Sequence, residues 1–521
     1  MNDLNPTIFL GPPGTGKTTT LLDTVEKEML NGVPPDKIGF FTFTKRGVEE
    51  AISRASVRFN LPRKDFRYFN TLHSAAFRHL GLGTDQVFVG RKIHEFGLAH
   101  GLTLFGGIQS DDGIYSSFFG DDLILFLENY ARITMIPLEQ VFNANPGALP
   151  DINRAWRIIK ILHEYKAEQG FFDFTDMIEA FIKANDPPVL EVLIIDEAQD
   201  LSELQWTMVM LLARHAKRVF IAGDDDQTIF TWAGASERFI NMAGTVELLR
   251  QSYRVPVKVH RLANKVVSRI INRRAKEWNP RPADGSHSEL DGIDQLDPGI
   301  LDPALGTVMM LGRTVKLLRQ KLVPFCRHHG LLYRYFENPS IKPTQAMAID
   351  AWNSLQEGYS IPATEAVRIY DLLPSEGHKK KKGLVKHGFK TQLNRLADQP
   401  EPPRLSIQEL RNDYGLLAEG PWKEVFTEIA PNDVLYIQKV LNNGFSIMDK
   451  PHIHVSTIHR VKGGQANSVI LLSDSAKVSE RMSGSNQDEE TRTFYTAITR
   501  TFEDLIVIHP DRRHHYEGLF T

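Results

Sequence analysis

Short runs of β-branched and aromatic residues alternate along this chain with stretches whose apolar positions recur every three or four residues. That alternation marks parallel α/β sheets. Three blocks carry it. The first covers residues 5–80, with strands predicted at 7–10 and 38–43. The second covers about 188–250, with strands predicted at 189–195, 218–222 and 246–248. The third opens at 307–311 and resumes near 450, with strands predicted at 453–457, 468–472 and 505–508. Between the blocks the period lengthens. Residues 81–187 predict helices around 120–132 and 152–168, and residues 340–445 predict helices around 343–357, 363–373, 405–417 and 433–442. The stretch 279–304, rich in proline, aspartate, glycine and serine, reads as a long exposed connection. The pattern predicts two α/β lobes, each interrupted by a largely helical insertion.

Composition narrows this only slightly. The chain has 521 residues, too many for one compact core, and length suggests three or four domains. Its 42% hydrophobic and 24% charged content is ordinary for a globular protein, and its net charge of −3 offers no global basicity for nucleic acid. Local patches must supply any such contact. The strongest is Lys379–Lys382 with Lys386, His387 and Lys390, either a solvated loop or a phosphate contact. The single cysteine, Cys326, excludes an internal disulfide framework and fits a reducing cytoplasm. No apolar run approaches a membrane span and the first residues lack a signal pattern, so the expectation is a cytoplasmic protein without membrane contact.

Candidate chemistry begins almost at once. Gly11-Pro12-Pro13-Gly14-Thr15-Gly16-Lys17-Thr18, followed by Thr19, is a complete phosphate-loop string between a predicted strand and a predicted helix. Its glycines let the backbone fold around phosphates, with successive N–H groups and the helix N-terminus facing the anion. Lys17 brings a mobile positive charge, and the Thr18 hydroxyl suits Mg²⁺. A nucleoside triphosphate is the implied ligand.

Later strands end in matching chemistry. The run 192–195 ends in Asp196-Glu197-Ala198-Gln199-Asp200. There Asp196 is expected to hold Mg²⁺ and Glu197 to orient or deprotonate the attacking water. The run 218–222 leads into Gly223-Asp224-Asp225-Asp226-Gln227, and Gln227 can both donate to a terminal phosphate and accept from water. Trp232, five residues on among small neighbours, reads as a platform for a base, its plain alternative being a core tryptophan.

In this order the motifs resemble superfamily 1 DNA helicases of the UvrD/Rep/PcrA type, from residue 8 to about 510. The carriers are the phosphate loop, 42–46 with Glu49-Glu50-Ala51, Thr71-Leu72-His73-Ser74, 173–178, 196–200, 223–235, 249–254, 455–464 and 494–500. The resemblance implies two RecA-like parallel-sheet lobes: 1–80 plus 170–250 with insertion 81–169, and 251–340 plus 446–521 with insertion 341–445. It implies that Tyr253 stacks on adenine and that Arg254 and Arg500 reach the γ-phosphate, where a planar, always-charged fork spreads developing charge. It puts Phe43, Thr71, His73 and Trp232 on a single-strand face, with His459 and Lys462 linking strand to nucleotide pocket. It further implies ATP and Mg²⁺ as cofactors, DNA-dependent ATP hydrolysis, 3′→5′ translocation and unwinding. The partners would be single-stranded DNA and single-strand/duplex junctions, with the protein a monomer in solution.

The pattern departs from the family in four places. No glutamine-bearing helix is visible in residues 1–6, so adenine is expected to be held without it. Thr231 and Ala233 flank Trp232 where the family has an arginine. Gly464 and Gln465 stand where it has Leu-Glu, leaving Gln465 to meet the ribose without charge. The second insertion is shorter. A translocase that displaces proteins or loads partners with little unwinding, an ATP-switched binding module and an RNA substrate are the competing readings.

Overall fold

The computed structural model describes residues 5–104, 120–144, 151–376, 383–475 and 486–510. The lysine run 379–382 lies outside them. The chain divides into two compact units. Of the described residues, one unit holds those up to Ser288 and those within Ile458–Val507, and the other holds those within Glu289–Thr457 and residues 508–510.

The first unit is built on a six-stranded sheet. Its strands are β1 (Thr7–Leu10), β2 (Ile38–Phe41), β3 (Phe69–Asn70), β4 (Val192–Ile195), β5 (Arg218–Gly223) and β6 (Thr245–Leu248), in the order β3-β2-β4-β5-β1-β6. Every pairing is parallel. In β1, β2 and β4 alternate side chains bury on opposite faces, which is why these strands read as apolar runs, whereas β6 at the sheet's edge is largely exposed. Ile8, Leu10, Phe41, Leu193, Ile195 and Ile221 pack on one face with Trp206 and Phe181. Phe9, Phe40, Val192, Ile194 and Ala222 pack on the other with Leu21, Leu22 and Val25. Each such fully buried side chain contributes about 1.5–3 kcal/mol. In register, Ile195 of β4 sits beside both Phe41 of β2 and Ile221 of β5, so the loops after β4 and β5 leave the same edge of the sheet.

The predicted helices of 81–187 form at Asp122–Thr134 and Ile152–Gln169, with a hydrophobic core of their own around Phe96, Leu127, Ile159 and Leu162. Strands Ala466–Leu472, Thr501–Ile508 and Ser286–Leu290 lie side by side in that order. In the second unit, strand Ile453–Thr457 runs parallel to both Val308–Gly312 and Tyr333–Tyr335. Helices Pro343–Gln356, Ala363–Asp371 and Pro431–Asn442 form where the period placed them.

Three expectations need correction. The stretch 279–304 is not an open connection, because it contains strand Ser286–Leu290 and short turns that bury Leu296 and Leu301. Proline and aspartate there start 3-10 turns, with Asp297 and Asp302 capping them. The helix expected over 405–417 is only Ile407–Asp413, opened by a Ser406–Glu409 capping box. The strand expected from 189 begins at Val192, and Val189 is exposed.

Among the described residues no helix is long and apolar enough to cross a membrane.

Candidate active site

The phosphate loop connects β1 to helix Lys17–Leu30. That helix opens on Gly16 in the left-handed region (φ 81°), with no side-chain cap and no acid in its first turn. Its N-terminal N–H groups are therefore left for an anion. Crowding fixes the loop's composition. A Cβ on Gly11 would lie 2.1 Å from Lys17 Cγ, and one on Gly14 2.4 Å from Arg254 Cβ. Lys17 Nζ donates to Gly11 O at 2.9 Å, so the lysine folds back over its own loop. Thr15 Oγ1 donates to Pro12 O at 2.8 Å, closing the turn.

The acids after β4 face this loop. Thr18 Oγ1 donates to Asp196 Oδ2 at 2.9 Å. Burial, and then the neighbouring Glu197, pushes the Asp196 carboxyl up to about 7. Thr18 and Asp196 are hard oxygen donors, and Asp196 is a buried carboxylate short of positive charge. They fit Mg²⁺, which takes few protein ligands and completes its shell with phosphate and water. No group of three or more His, Cys, Asp or Glu arranged for a metal occurs among the described residues. Glu197 takes a left-handed backbone (φ 54°), unusual for a side chain of its size. Burial opposes its charge, but Lys17, then Lys462, and a hydrogen bond from Gln199 Nε2 at 2.6 Å hold it below the usual carboxylate range. It stays ionised, the state in which a carboxylate can accept a proton.

The loop after β5 and two later segments close the other side. Buried Gln227 donates from Nε2 to Asp224 Oδ2 at 2.7 Å, and its Oε1 accepts from Arg500 Nη2. Arg500 is fully buried and also donates to Thr496 O at 3.0 Å and Gly464 O at 3.3 Å. Arg254 Nε donates to Gln465 Oε1 at 3.0 Å. Burial, and then Arg500, pushes Arg254 down to about 9, and burial lowers Arg500 as well. Gln465, expected at a ribose, is thus engaged by Arg254. Tyr253 is 68% exposed, its N–H donates to Gly14 O at 2.8 Å, and its ring edge comes within 4.0 Å of a Cβ built on Gly16. It is an open aromatic face beside the phosphate loop.

An aromatic cluster adjoins this site. The Phe43 ring stacks on Phe230 at 5.6 Å, and Trp232 and His459 each lie 6.0–6.3 Å from Phe230 and 6.0 Å from each other. Trp232 Nε1 donates to Ile229 O at 3.0 Å. Lys462 joins the two regions. Its ammonium bonds both Asp200 oxygens at 2.5 Å and Gln227 O at 2.6 Å, and it sits 5.2 Å from the Phe230 ring. Thr71 is not on open surface. It is 2% exposed, and its hydroxyl caps helix Leu72–His79, accepting from Ser74 N at 3.1 Å. His73, one residue into that helix, meets Phe174 edge-on at 5.5 Å.

Sequence reasoning missed several contributors. Ser252 Oγ donates to Pro13 O at 2.7 Å and ties Tyr253 and Arg254 to the phosphate loop. Gln199 spans the two acidic loops, its Oε1 accepting from Asp224 N at 3.1 Å. Lys276 and Arg273 neutralise Asp224–Asp226. Three adjacent aspartates without a local cation were the available signal, since burial would demand one.

Comparison with known proteins matches this arrangement. Residues 2–245 fit the UvrD/REP helicase N-terminal domain, and residues 452–508 the UvrD-like helicase C-terminal domain. The chain is 26% identical over 291 residues to the ATP-dependent DNA helicase PcrA of Bacillus subtilis, covering 52% of this chain and 38% of that protein. It is 26% identical over 306 residues to a probable DNA helicase II homolog of Rickettsia felis, covering 53% and 44%. A probable DNA helicase of Mycoplasma pneumoniae is 25% identical over 300 residues, covering 50% and 53%. The chain thus spans roughly two fifths to a half of the length of these relatives. With a parallel-sheet α/β architecture and both family models matched in order, the chain belongs to the UvrD/Rep/PcrA-type helicase family.

Proposed function

We propose that this protein is an ATP-dependent DNA helicase or translocase that moves 3′→5′ along single-stranded DNA and opens duplex at the junction. One observation carries the reading. The ammonium of Lys462 is shared between Asp200 and the backbone of Gln227 on the nucleotide side and the Phe230 ring on the aromatic side. A change at a terminal phosphate therefore has a short physical route to a base-stacking surface.

In this reading the loop N–H groups and Lys17 bind the triphosphate, with Lys17 leaving Gly11 O to do so. Tyr253 stacks on adenine, and Gln465 meets the ribose once Arg254 leaves its Oε1 for the γ-phosphate. Thr18 and Asp196 would hold Mg²⁺, which would supply positive charge to offset that of the phosphates. Glu197 takes the proton of the attacking water, Gln227 orients that water, and Arg254 and Arg500 spread charge over the γ-phosphoryl group. Phe43, His73 and Trp232 stack bases, a sequence-tolerant contact worth about 1–3 kcal/mol per base. Thr71 acts through the helix cap that sets His73. His459 and Lys462 pass the state of the nucleotide to the strand.

The test is unwinding of matched 3′-tailed and 5′-tailed DNA duplexes, with Lys17→Ala as control. Unwinding of the 3′-tailed duplex alone, abolished in Lys17→Ala, is the expected result. Streptavidin displacement without unwinding would favour the translocase alternative. Loss of neither activity in Lys17→Ala would sink the site assignment.

A further inference from the structure

The residues after helix Val257–Val267 form a strap between three parts of the first unit. At its start, the Asp488 carboxylate accepts from Ile271 N and Asn272 N at 3.0 Å, and Arg492 Nη2 donates to Asn272 O at 2.5 Å. Asp488 and Arg492 belong to helix Asn486–Ile498, which leads directly into Arg500. Along its length, Arg273 pairs with Asp226 through Nε at 2.7 Å and Nη2 at 2.6 Å, and Arg274 N donates to Asp225 Oδ2 at 2.7 Å. The Arg274 guanidinium binds the carbonyls of Phe239, Ile240 and Met242. At its end, the Lys276 ammonium, with a side chain 1% exposed, lies 3.0 Å from Asp224 and 2.9 Å from Asp226 and also pairs with Asp225.

We infer that residues 271–276, with Lys276 and Arg273 as positioning residues, hold the Gln227 loop in register with the helix that carries Arg500. Asp224 accepts from the Gln227 amide, so the cation on Asp224 sets where Gln227 sits, and Gln227 in turn binds Arg500. Three adjacent carboxylates 0–1% exposed repel one another, and one buried ammonium touching all three is what lets the loop fold tightly. Neither Lys276 nor Arg273 needs to touch nucleotide. Their effect on hydrolysis passes through Gln227.

The inference rests on the hydrolysis reading above, and its test separates the two. Steady-state ATP hydrolysis with a single-stranded oligonucleotide is measured for wild type, Lys17→Ala, Lys276→Met, Arg273→Gln, Arg273→Lys and Gln227→Ala. Each of the first two strap substitutions is also combined with Gln227→Ala. Lys276→Met is expected to lower kcat at least about tenfold while KM for ATP moves by less than about threefold. In the Gln227→Ala background the same substitution should cost less than about twofold, the mark of acting through that residue. Arg273→Gln should show the same non-additivity with a smaller loss, and Arg273→Lys should regain most of the rate. If Lys276→Met does not fold, the Arg273 cycle decides. Equal losses in both backgrounds, or no loss from either substitution, overturn the strap. A wild type without ATP hydrolysis, or a fully active Lys17→Ala, instead overturns the hydrolysis reading itself.

Discussion

Two buried charge clusters in the first unit obey opposite electrostatics. Around Arg132 and Lys166, opposite charges alternate. Arg132 binds Glu128, Asp173, Asp176 and Glu179, while Lys166 bonds Asp173 at 2.6 Å and Asp176 at 2.7 Å. Despite burial, both cations are pushed up and Asp173 is held below the carboxylate range, so the cluster strengthens these three charges, and only Asp176, beside Asp173, is pushed the other way. Around the phosphate loop, like charges share space. Asp196 beside Glu197 is pushed up, and Arg254 beside Arg500 is pushed down. The first cluster is complete in itself, whereas in the second acid sits beside acid and arginine beside arginine. Charges that oppose their own ionisation are a mark of functional sites, and here the contrast lies within one sheet-based unit.

The largest expected effect tests that contrast directly. Arg500→Met and Arg254→Met should each lower DNA-stimulated ATP hydrolysis by about 10³-fold, because such arginines act on charge that develops only during transfer. Thermal stability should be unchanged or higher, since each substitution removes a cation that the folded protein holds against burial. Parallel measurement of kcat and of the unfolding midpoint decides. A midpoint that falls along with the rate would mean that these arginines are structural.

The converse substitution should be smaller in rate and larger in stability. Arg132→Met leaves Asp173 and Glu128 buried with less compensation and should cost about 3–5 kcal/mol of unfolding free energy by denaturant titration. At temperatures where the variant is folded, hydrolysis should remain within about threefold of wild type. A stable Arg132→Met variant with a collapsed rate would erase the distinction between the two clusters.

How far this was legible in the sequence depends on the reach of each contact. The unbroken apolar runs at β1, β4 and β5 announced a parallel sheet because both faces bury, and the phosphate loop announced itself because Gly14 and Gly16 are needed for backbone geometry. The positions of Asp196, Glu197 and Gln227 in the loops just after β4 and β5 were legible as well. What did not read were partners brought by folding across long separations. Lys276 meets Asp224–Asp226 from about fifty positions away, and Lys462 meets Asp200 from 262 positions away. A cation in a polar stretch looks the same whether solvent or a buried carboxylate awaits it. Thr71 misled for the opposite reason, because a local helix cap buried a residue that its motif placed at the strand.

The smallest expected effect is an acid dependence that belongs to the compensated cluster. Asp173 is 4% exposed and held below its ordinary range because Arg132 and Lys166 outweigh the cost of burial. Its unfolded pKa is about 4, so on acidification the unfolded chain takes up its proton first. The stability it contributes is fully present above that value and is lost as pH falls toward the lower folded value. Asp176, pushed up by burial and by Asp173, opposes part of this slope and keeps the net change modest. Unfolding midpoints of wild type and Asp173→Asn should therefore differ most near pH 6 and begin to draw together below about pH 4, the gap closing only as pH falls toward the lower folded value. Curves that stay parallel across that window would show that Asp173 is not held ionised by its neighbours. The cluster would then be no more complete than the one around the phosphate loop.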